Sequence, residues 1–332
     1  MEKISRSAGS ALYRLSPLPH TECYIFTTPE SRSICNDPLV YGVTYTNALK
    51  HAVTKALQLF GDADIAIGEE SHALILHILR GGLNFGIRDA LFDVYGWSST
   101  TSAFISSQRV FKNLEGWQIS ENSYRKMPGV DEADVIFGDV VATGVSLRHA
   151  IQKLITEARE AGATYRSLTF FTIGAVESER IIADAAALCA ELFPNFKGAR
   201  VVYLEGIFGV PDAHSPLSIS MPGTDLLRSP AELAPEFIAS QKDSLSYALE
   251  RCVIYDAGSR AFEPHTYLAD VEDYWKRVAA LGNTGTSVFD YLKERFPADE
   301  RLSDAAFERT YASPDSLAKL AEERVALLRK SL

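Results

Sequence analysis

Apolar residues along the chain fall into two alternating patterns, short unbroken runs and stretches with a 3.6-residue period. The runs at 73–79, 134–141, 167–174 and 199–207 are rich in Val, Ile, Leu and Phe and read as buried strands. Helical spacing governs 44–60, 83–91, 147–155 and 178–189. Ala48, Ala52, Val53, Ala56, Leu57 and Phe60 mark the first of these helices, and Gly61 closes it. Strands that alternate with helices predict an α/β fold with a parallel sheet and right-handed crossovers.

The rest of the chain is patterned differently. Residues 1–42 carry Pro17, Pro19, Pro29 and Pro38 between short extended pieces such as Cys23-Tyr24-Ile25-Phe26. An irregular arm that covers a sheet edge or makes a dimer contact is expected there. The stretch 104–128 runs from apolar residues into Ser106, Ser107, Gln108 and Arg109, passes Gly116 and returns, which predicts a hairpin or flap. Pro211, Pro216, Pro222 and Pro230 predict a long irregular loop over 211–230. Beyond it the sequence is more charged, with helical periods in 233–249, 267–281, 287–296 and 317–332. This last part is expected to serve packing, capping, an oligomer surface or partner binding. The organisation expected is an arm at 1–43, an α/β domain at 44–230 and a helical extension at 231–332.

With 332 residues and 46% hydrophobic content, the chain can bury one large core or two modest ones. Lys and Arg number 33 against 43 acids, a formal charge of −10, so no overall attraction to nucleic acid or to an anionic membrane is expected. Cys23, Cys35, Cys189 and Cys252 show no C-x-x-C spacing, which argues against structural zinc and against a disulfide framework. The first residues open no signal-like apolar segment, and no apolar run reaches membrane-spanning length. A soluble cytoplasmic protein with reduced thiols is expected.

Candidate chemistry gathers at two strand ends. After the strand at 134–141 come Ala142-Thr143-Gly144-Val145-Ser146 and then a helix. Such a loop sets backbone N–H groups and the Thr143 and Ser146 hydroxyls at the positive end of a helix dipole, which suits a phosphate dianion; Gly144 permits close approach. Asp139 lies at the carboxyl end of its strand, where α/β proteins bind ligands, and can accept hydrogen bonds from sugar hydroxyls. After the strand at 73–79, Arg80-Gly81-Gly82 combines amides able to face an anion with a guanidinium fork matched to phosphate oxygens. Each loop alone also fits an ordinary turn, with Ser146 as helix cap and Arg80 solvated. In one parallel sheet they would hold a 5′-phosphate and a diphosphate side by side.

The segment 134–146 resembles the phosphoribosyl diphosphate (PRPP) motif of type I phosphoribosyltransferases: an apolar strand, two acidic residues, two apolar residues and a Thr-Gly-x-Ser/Thr loop. It departs at Gly138, where most of the family carries the first acidic residue. Leu79-Arg80-Gly81-Gly82-Leu83 is similar to the diphosphate loop of the uracil enzymes. Arg109 and Tyr124 through Pro128 fall where those enzymes have a hood arginine and a Tyr-x-x-Leu-Pro. Met221-Pro222-Gly223-Thr224-Asp225 is similar to their base-recognition loop but lacks its second glycine. The resemblance covers roughly residues 45–228.

What the resemblance implies is a parallel sheet flanked by helices with a hood, to which this chain adds a helical C-terminal region. It implies PRPP and a small-molecule acceptor as partners, Mg²⁺ bound through PRPP rather than by a protein metal site, and a homodimer. Arg80, Gly81 and Gly82 would bind diphosphate, and Arg109 would neutralise it as it departs, with Lys112 as a further candidate. Ala142, Thr143, Gly144, Val145 and Ser146 would anchor the 5′-phosphate, and Asp139 would orient the ribose. Ala142 matches the uracil and adenine enzymes rather than those for 6-oxopurines, which place a carboxylate there, so a pyrimidine-like or noncanonical acceptor is expected.

The alternative suggested by Gly138 and the altered base loop is a protein that binds PRPP or a nucleotide as an effector without catalysis. No G-x-G-x-x-G follows a strand and no G-x-x-x-x-G-K-[ST] occurs, which argues against a dehydrogenase and a Walker-type NTPase. No basic stripe suited to RNA is present.

Overall fold

The computed structural model describes residues 1–106, 108–112, 116–120, 125–128, 130–210, 219, 226–250 and 257–331. Its strands are β1 (Glu2–Ser7), β2 (Ser10–Arg14), β3 (Thr21–Thr27), β4 (Ala73–Leu79), β5 (Thr101–Ser106), β6 (Gln108–Lys112), β7 (Gly116–Ser120), β8 (Arg125–Lys126), β9 (Ala133–Val141), β10 (Tyr165–Ala175), β11 (Gly198–Gly209) and β12 (Leu227–Leu233). Its helices are α1 (Pro29–Asn36), α2 (Gly42–Asp62), α3 (Ile87–Tyr95), α4 (Val145–Ala161), α5 (Glu177–Leu192), α6 (Pro235–Ser240), α7 (Leu245–Leu249), α8 (Ala257–Phe262), α9 (Pro264–Asn283), α10 (Val288–Arg295), α11 (Ala305–Tyr311) and α12 (Pro314–Arg329).

The fold is α/β. The main sheet runs β1, β2, β3, β11, β10, β9, β4, β5, β8, with β12 also on β11. From β3 across to β5 every neighbouring pair is parallel. Strands β9, β10 and β11 are buried along nearly their whole length, as parallel strands covered on both faces are. Successive residues of β10 show what covers each face. Phe171 meets Phe60 of α2, whereas Thr172 lies beside Tyr203 of β11, whose hydroxyl donates to Glu179 of α5. Helices α2 and α5 therefore pack on opposite faces. The expected hairpin is present as β6 and β7, which pair antiparallel in a sheet of their own, and β7 approaches α4. Among the described residues no helix is long and apolar enough to cross a membrane.

Three expectations need correction. The arm expected to be irregular instead supplies β1, β2, β3 and α1, and β3 is a member of the sheet because Cys23, Tyr24, Ile25 and Phe26 are buried against β11. Its prolines sit at element boundaries. Pro17 lies between β2 and β3, Pro29 opens α1, and Pro38 follows the end of α1. The loop expected over 211–230 gives way to β12 at Leu227, which pairs antiparallel with β11, so the 230/231 boundary falls inside a strand. The helical periods at 83–91 and 233–249 are each interrupted. Gly86 adopts a left-handed φ of 56° between a 3₁₀ turn at Gly81–Phe85 and α3. The chain turns between α6 and α7, where Gln241 Nε2 donates to Asn36 Oδ1 at 2.8 Å.

One strained position carries a buried acid. Glu205 of β11 has φ 64° and lies in a bulge, where Thr172 and Gly174 of β10 pair with Tyr203 and Ile207. Its side chain is 0% exposed. Oε1 accepts from the Ser31 hydroxyl and from Thr28 N at 3.2 Å, at the start of α1. Burial pushes the carboxyl from 4.5 up to about 7, against the lowering effect of the Ser31, Thr27 and Arg32 side chains. The folded state thus holds a proton that the unfolded chain has released between those pH values. The stabilisation is complete below about 4.5 and is lost as pH rises through about 7, on the order of 3 kcal/mol in total. Denaturant titrations between these limits should show unfolding free energy falling with pH, and falling less steeply in Glu205→Gln.

Candidate functional site

Numbered in chain order and leaving aside β3, which is parallel beside β11, the strands β4, β5, β9, β10 and β11 are laid side by side as 2-1-3-4-5. After β4 the chain crosses to one side, and after β9 to the other. The crevice beyond the carboxyl ends of β4 and β9 is therefore a topological switch point, where open α/β sheets bind ligands. Both predicted corners open here, since β4 and β9 are adjacent and parallel with His77 opposite Gly138.

The first corner is Arg80 followed by the 3₁₀ turn Gly81–Phe85. A Cβ on Gly82 would stand 2.8 Å from the Gly138 carbonyl oxygen, so the turn rests on the β9 backbone. A Cβ on Gly138 would stand 2.4 Å from Cγ of Phe85, whose side chain is fully buried. This accounts for glycine at position 138, because the space that a side chain there would enter is filled by the Phe85 ring.

The second corner follows Val141. Gly144 is the N-terminal cap of α4 with φ 75°, a left-handed conformation that favours glycine, and a Cβ there would have to displace the Ile181 Cδ1 methyl at 2.3 Å. No side chain caps α4, and Ser146 lies inside the helix rather than at its cap. The amides of this first turn have no intrahelical acceptors and carry the positive end of the helix dipole. Thr143 Oγ1 is buried without a hydrogen-bond partner among the described residues. Asp139 is 9% exposed at the end of β9, and its Oδ1 accepts from Val140 N at 2.9 Å.

Arg80 is half-exposed and pairs with Glu263, the residue that precedes α9. Helix α8 packs on the same 3₁₀ turn. The C-terminal region thus places a carboxylate on the guanidinium expected to meet diphosphate. No local signal foretells this contact, because 183 positions separate the two residues.

Beside the second corner lies a cavity of about 600 Å³ between Ala142, Thr143 and the ends of β10 and β11, closed on one side by β12. Val176, Phe208 and Val210 give it apolar walls, and its charged lining groups are Glu177, Glu179 and Glu232. Glu177 is paired with Arg180 at 2.6 Å. Burial first, then the nearby Glu232 carboxylate, holds Glu179 above the usual carboxylate range, against the lowering effect of Tyr203 and Cys23.

Arg109 and Lys112 belong to β6, but their side chains lie outside what is described. Tyr124 and residues 221–225 lie outside the described residues. Among those described, no group of three or more His, Cys, Asp or Glu is arranged to hold a metal ion.

No family model and no curated protein sequence matches the chain. Among solved structures it is similar to the adenine phosphoribosyltransferase of Trypanosoma brucei, crystallised with AMP, pyrophosphate and ribose-5-phosphate. The identity is 14%, over 58% of this chain and 86% of that one, with a TM-score of 0.36. It is also similar to a hypothetical protein from Neisseria gonorrhoeae with bound ppGpp, at 16% identity over 40% of this chain and 69% of that one, with a TM-score of 0.27. The first is an adenine enzyme, not the uracil type that the loops resemble.

The Phe85–Gly138 contact can be measured as a coupling. Gly138→Ala should destabilise by about 2 kcal/mol or more through overpacking, and by much less in a Phe85→Ala background. Equal costs in the two backgrounds, from denaturant unfolding, would show that the ring does not fill this place.

Proposed function

We propose that the chain is a PRPP-dependent phosphoribosyltransferase that transfers the 5-phosphoribosyl group to a nucleobase-like acceptor with release of diphosphate. The observation that carries this reading is the adjacency of two anion-adapted corners, Arg80-Gly81-Gly82 and Ala142–Ser146, at the ends of neighbouring parallel strands. In the proposed step an acceptor nitrogen attacks C1 of the ribose, the C1–O bond to diphosphate breaks, the bonding pair leaves with diphosphate, and the acceptor nitrogen gives up its proton to solvent. Little covalent help is required. Positioning and stabilisation of the charge on the leaving group supply the rate. Arg80 with the Gly81 and Gly82 amides and Arg109 would meet that charge. The amides and hydroxyls of 142–146 would hold the 5′-phosphate, and Asp139 would accept from the ribose hydroxyls. Mg²⁺ carried by PRPP would neutralise part of the diphosphate charge. The acceptor would occupy the cavity of about 600 Å³, whose acidic lining favours N–H donors and disfavours a carboxylated base. A pyrimidine-like or noncanonical acceptor fits both this lining and Ala142.

Two observations favour a second reading, a regulator that binds PRPP or a nucleotide without turnover. Phe85 stands where the first acid of the motif would reach, and Glu263 already occupies Arg80.

Calorimetry and a diphosphate-release assay across nucleobases separate the two. Under the first reading PRPP binds, Asp139→Asn weakens it at least tenfold, and diphosphate is released with a pyrimidine-like base. Binding without release for every base would favour the regulator. Release with hypoxanthine or guanine alone would overturn the acceptor preference.

A further inference from the structure

The cavity beside the phosphate corner has a one-sided supply of hydrogen-bonding side chains. Its described lining combines apolar groups with the carboxylates of Glu177, Glu179 and Glu232, and Thr143 supplies the one hydroxyl, which the reading above gives to the 5′-phosphate. No Lys, Arg, His, Asn or Gln is among the described residues that line it. An ionised carboxylate accepts hydrogen bonds and donates none. A ring substituent that donates is therefore satisfied here, whereas a carbonyl oxygen in the same place faces lone pairs and loses its hydrogen bond to water.

Of the three carboxylates, Glu179 is the one placed for recognition. Glu177 is drawn onto Arg180 at 2.6 Å, and Glu232 stands exposed on β12. Glu179 is half-buried in the first turn of α5, just beyond the end of β10. The Tyr203 hydroxyl, 3.5 Å from Oε2, and the Cys23 thiol hold it from the core side, both residues being buried. A carboxylate has about four acceptor sites, so two such donors leave room for a ligand N–H. Ala142 and Thr143 line the same cavity. A nucleotide whose 5′-phosphate rests on the corner at 142–146 can thus extend its base toward Glu179.

We infer that Glu179 makes the acceptor site selective for a nucleobase with an exocyclic amino group, as in cytosine or adenine, over the matching oxo base, uracil or hypoxanthine, the amino N–H being donated to the Glu179 carboxylate. The inference rests on the placement of phosphate and base proposed above and narrows the acceptor class within it.

Calorimetric titration of the full chain with CMP against UMP, and with AMP against IMP, tests it, with PRPP titrated alongside. Within each pair an amino group replaces a carbonyl, and about pH 8 favours the ionised carboxylate. In each pair that binds, the amino nucleotide should bind at least about tenfold tighter. Glu179→Gln exchanges one acceptor oxygen for an N–H donor of similar shape. It should weaken the amino nucleotide and strengthen the oxo one, bringing the ratio below about threefold; a merely structural role would weaken both alike. If that variant fails to fold, the wild-type ratio decides. Equal binding within the pairs, preference for the oxo member, or a ratio that Glu179→Gln leaves intact would overturn the inference and leave the PRPP reading standing. So would binding of PRPP with no nucleotide bound. Failure of PRPP and of all four nucleotides to bind would overturn both.

Discussion

How closely the first corner can approach β9 decides the geometry of the whole carboxyl edge. Strands β4 and β9 would be parallel neighbours in any α/β sheet of this order, but the crevice between their ends has a useful width only if the turn after β4 lies flat. Gly82 on the Gly138 carbonyl and Phe85 over the Gly138 Cα produce that flat turn, and each contact requires the absence of a side chain. Bulk at either glycine would lift the turn and move the Arg80 backbone with it. Position 138 is thus given over to packing. The ring that excludes a carboxylate from position 138 also fixes the spacing between the two corners.

A second constraint ties the C-terminal region to this edge. The last carbonyls of a helix lack intrahelical donors, and α1 ends inside the protein, where water cannot supply them. Arg260 of α8, itself 0% exposed, donates to the carbonyls of Ile34, Asp37 and Val40 at 3.2, 2.7 and 2.6 Å and lies between the rings of Tyr45 and Tyr267. Arg228 of β12 adds a bond to Cys35 O at 2.8 Å, and the Tyr267 hydroxyl one to Pro38 O at 3.0 Å. A buried guanidinium is tolerable only with its donors this fully used. The consequence is positional: with α8 locked against α1 and α2, Glu263 at its end is held near Arg80 and not left to wander as part of a loose extension. The helical tail is part of the frame of the site.

The elements legible in the sequence were those whose signal is local. Strands β4, β9, β10 and β11 are short apolar runs, α2, α4 and α5 keep an unbroken 3.6-residue period, and both corners were marked by glycines at strand ends. The elements that were missed take their structure from distant partners. Strand β3 looks irregular until β11 pairs with it, and β12 reads as loop because Pro230 lies within it and its partner ended with Gly209. The reason for Gly138 could not be read from the motif, since the ring that fills its place comes from the other corner.

The carboxyl edge also has a polarity that bears on the proposed chemistry. Its β4 side carries a guanidinium and glycine amides, its centre an uncapped helix N-terminus, and its β10–β11 side the carboxylates of Glu179 and Glu232. In the proposed transfer, negative charge grows on the departing diphosphate while positive charge grows on the ribosyl carbon and then on the acceptor nitrogen. An arrangement with a cation at one end and carboxylates at the other lies along that charge separation. Asp139 stands between the two ends, near the end of β9 that leads into residues 142–146. An effector without a base, such as PRPP, would gain from the cationic half alone and would have no use for an acidic cavity beside it. The acidic half therefore favours a ligand that carries N–H donors, whether an acceptor base or the base of a nucleotide, over PRPP as the sole occupant.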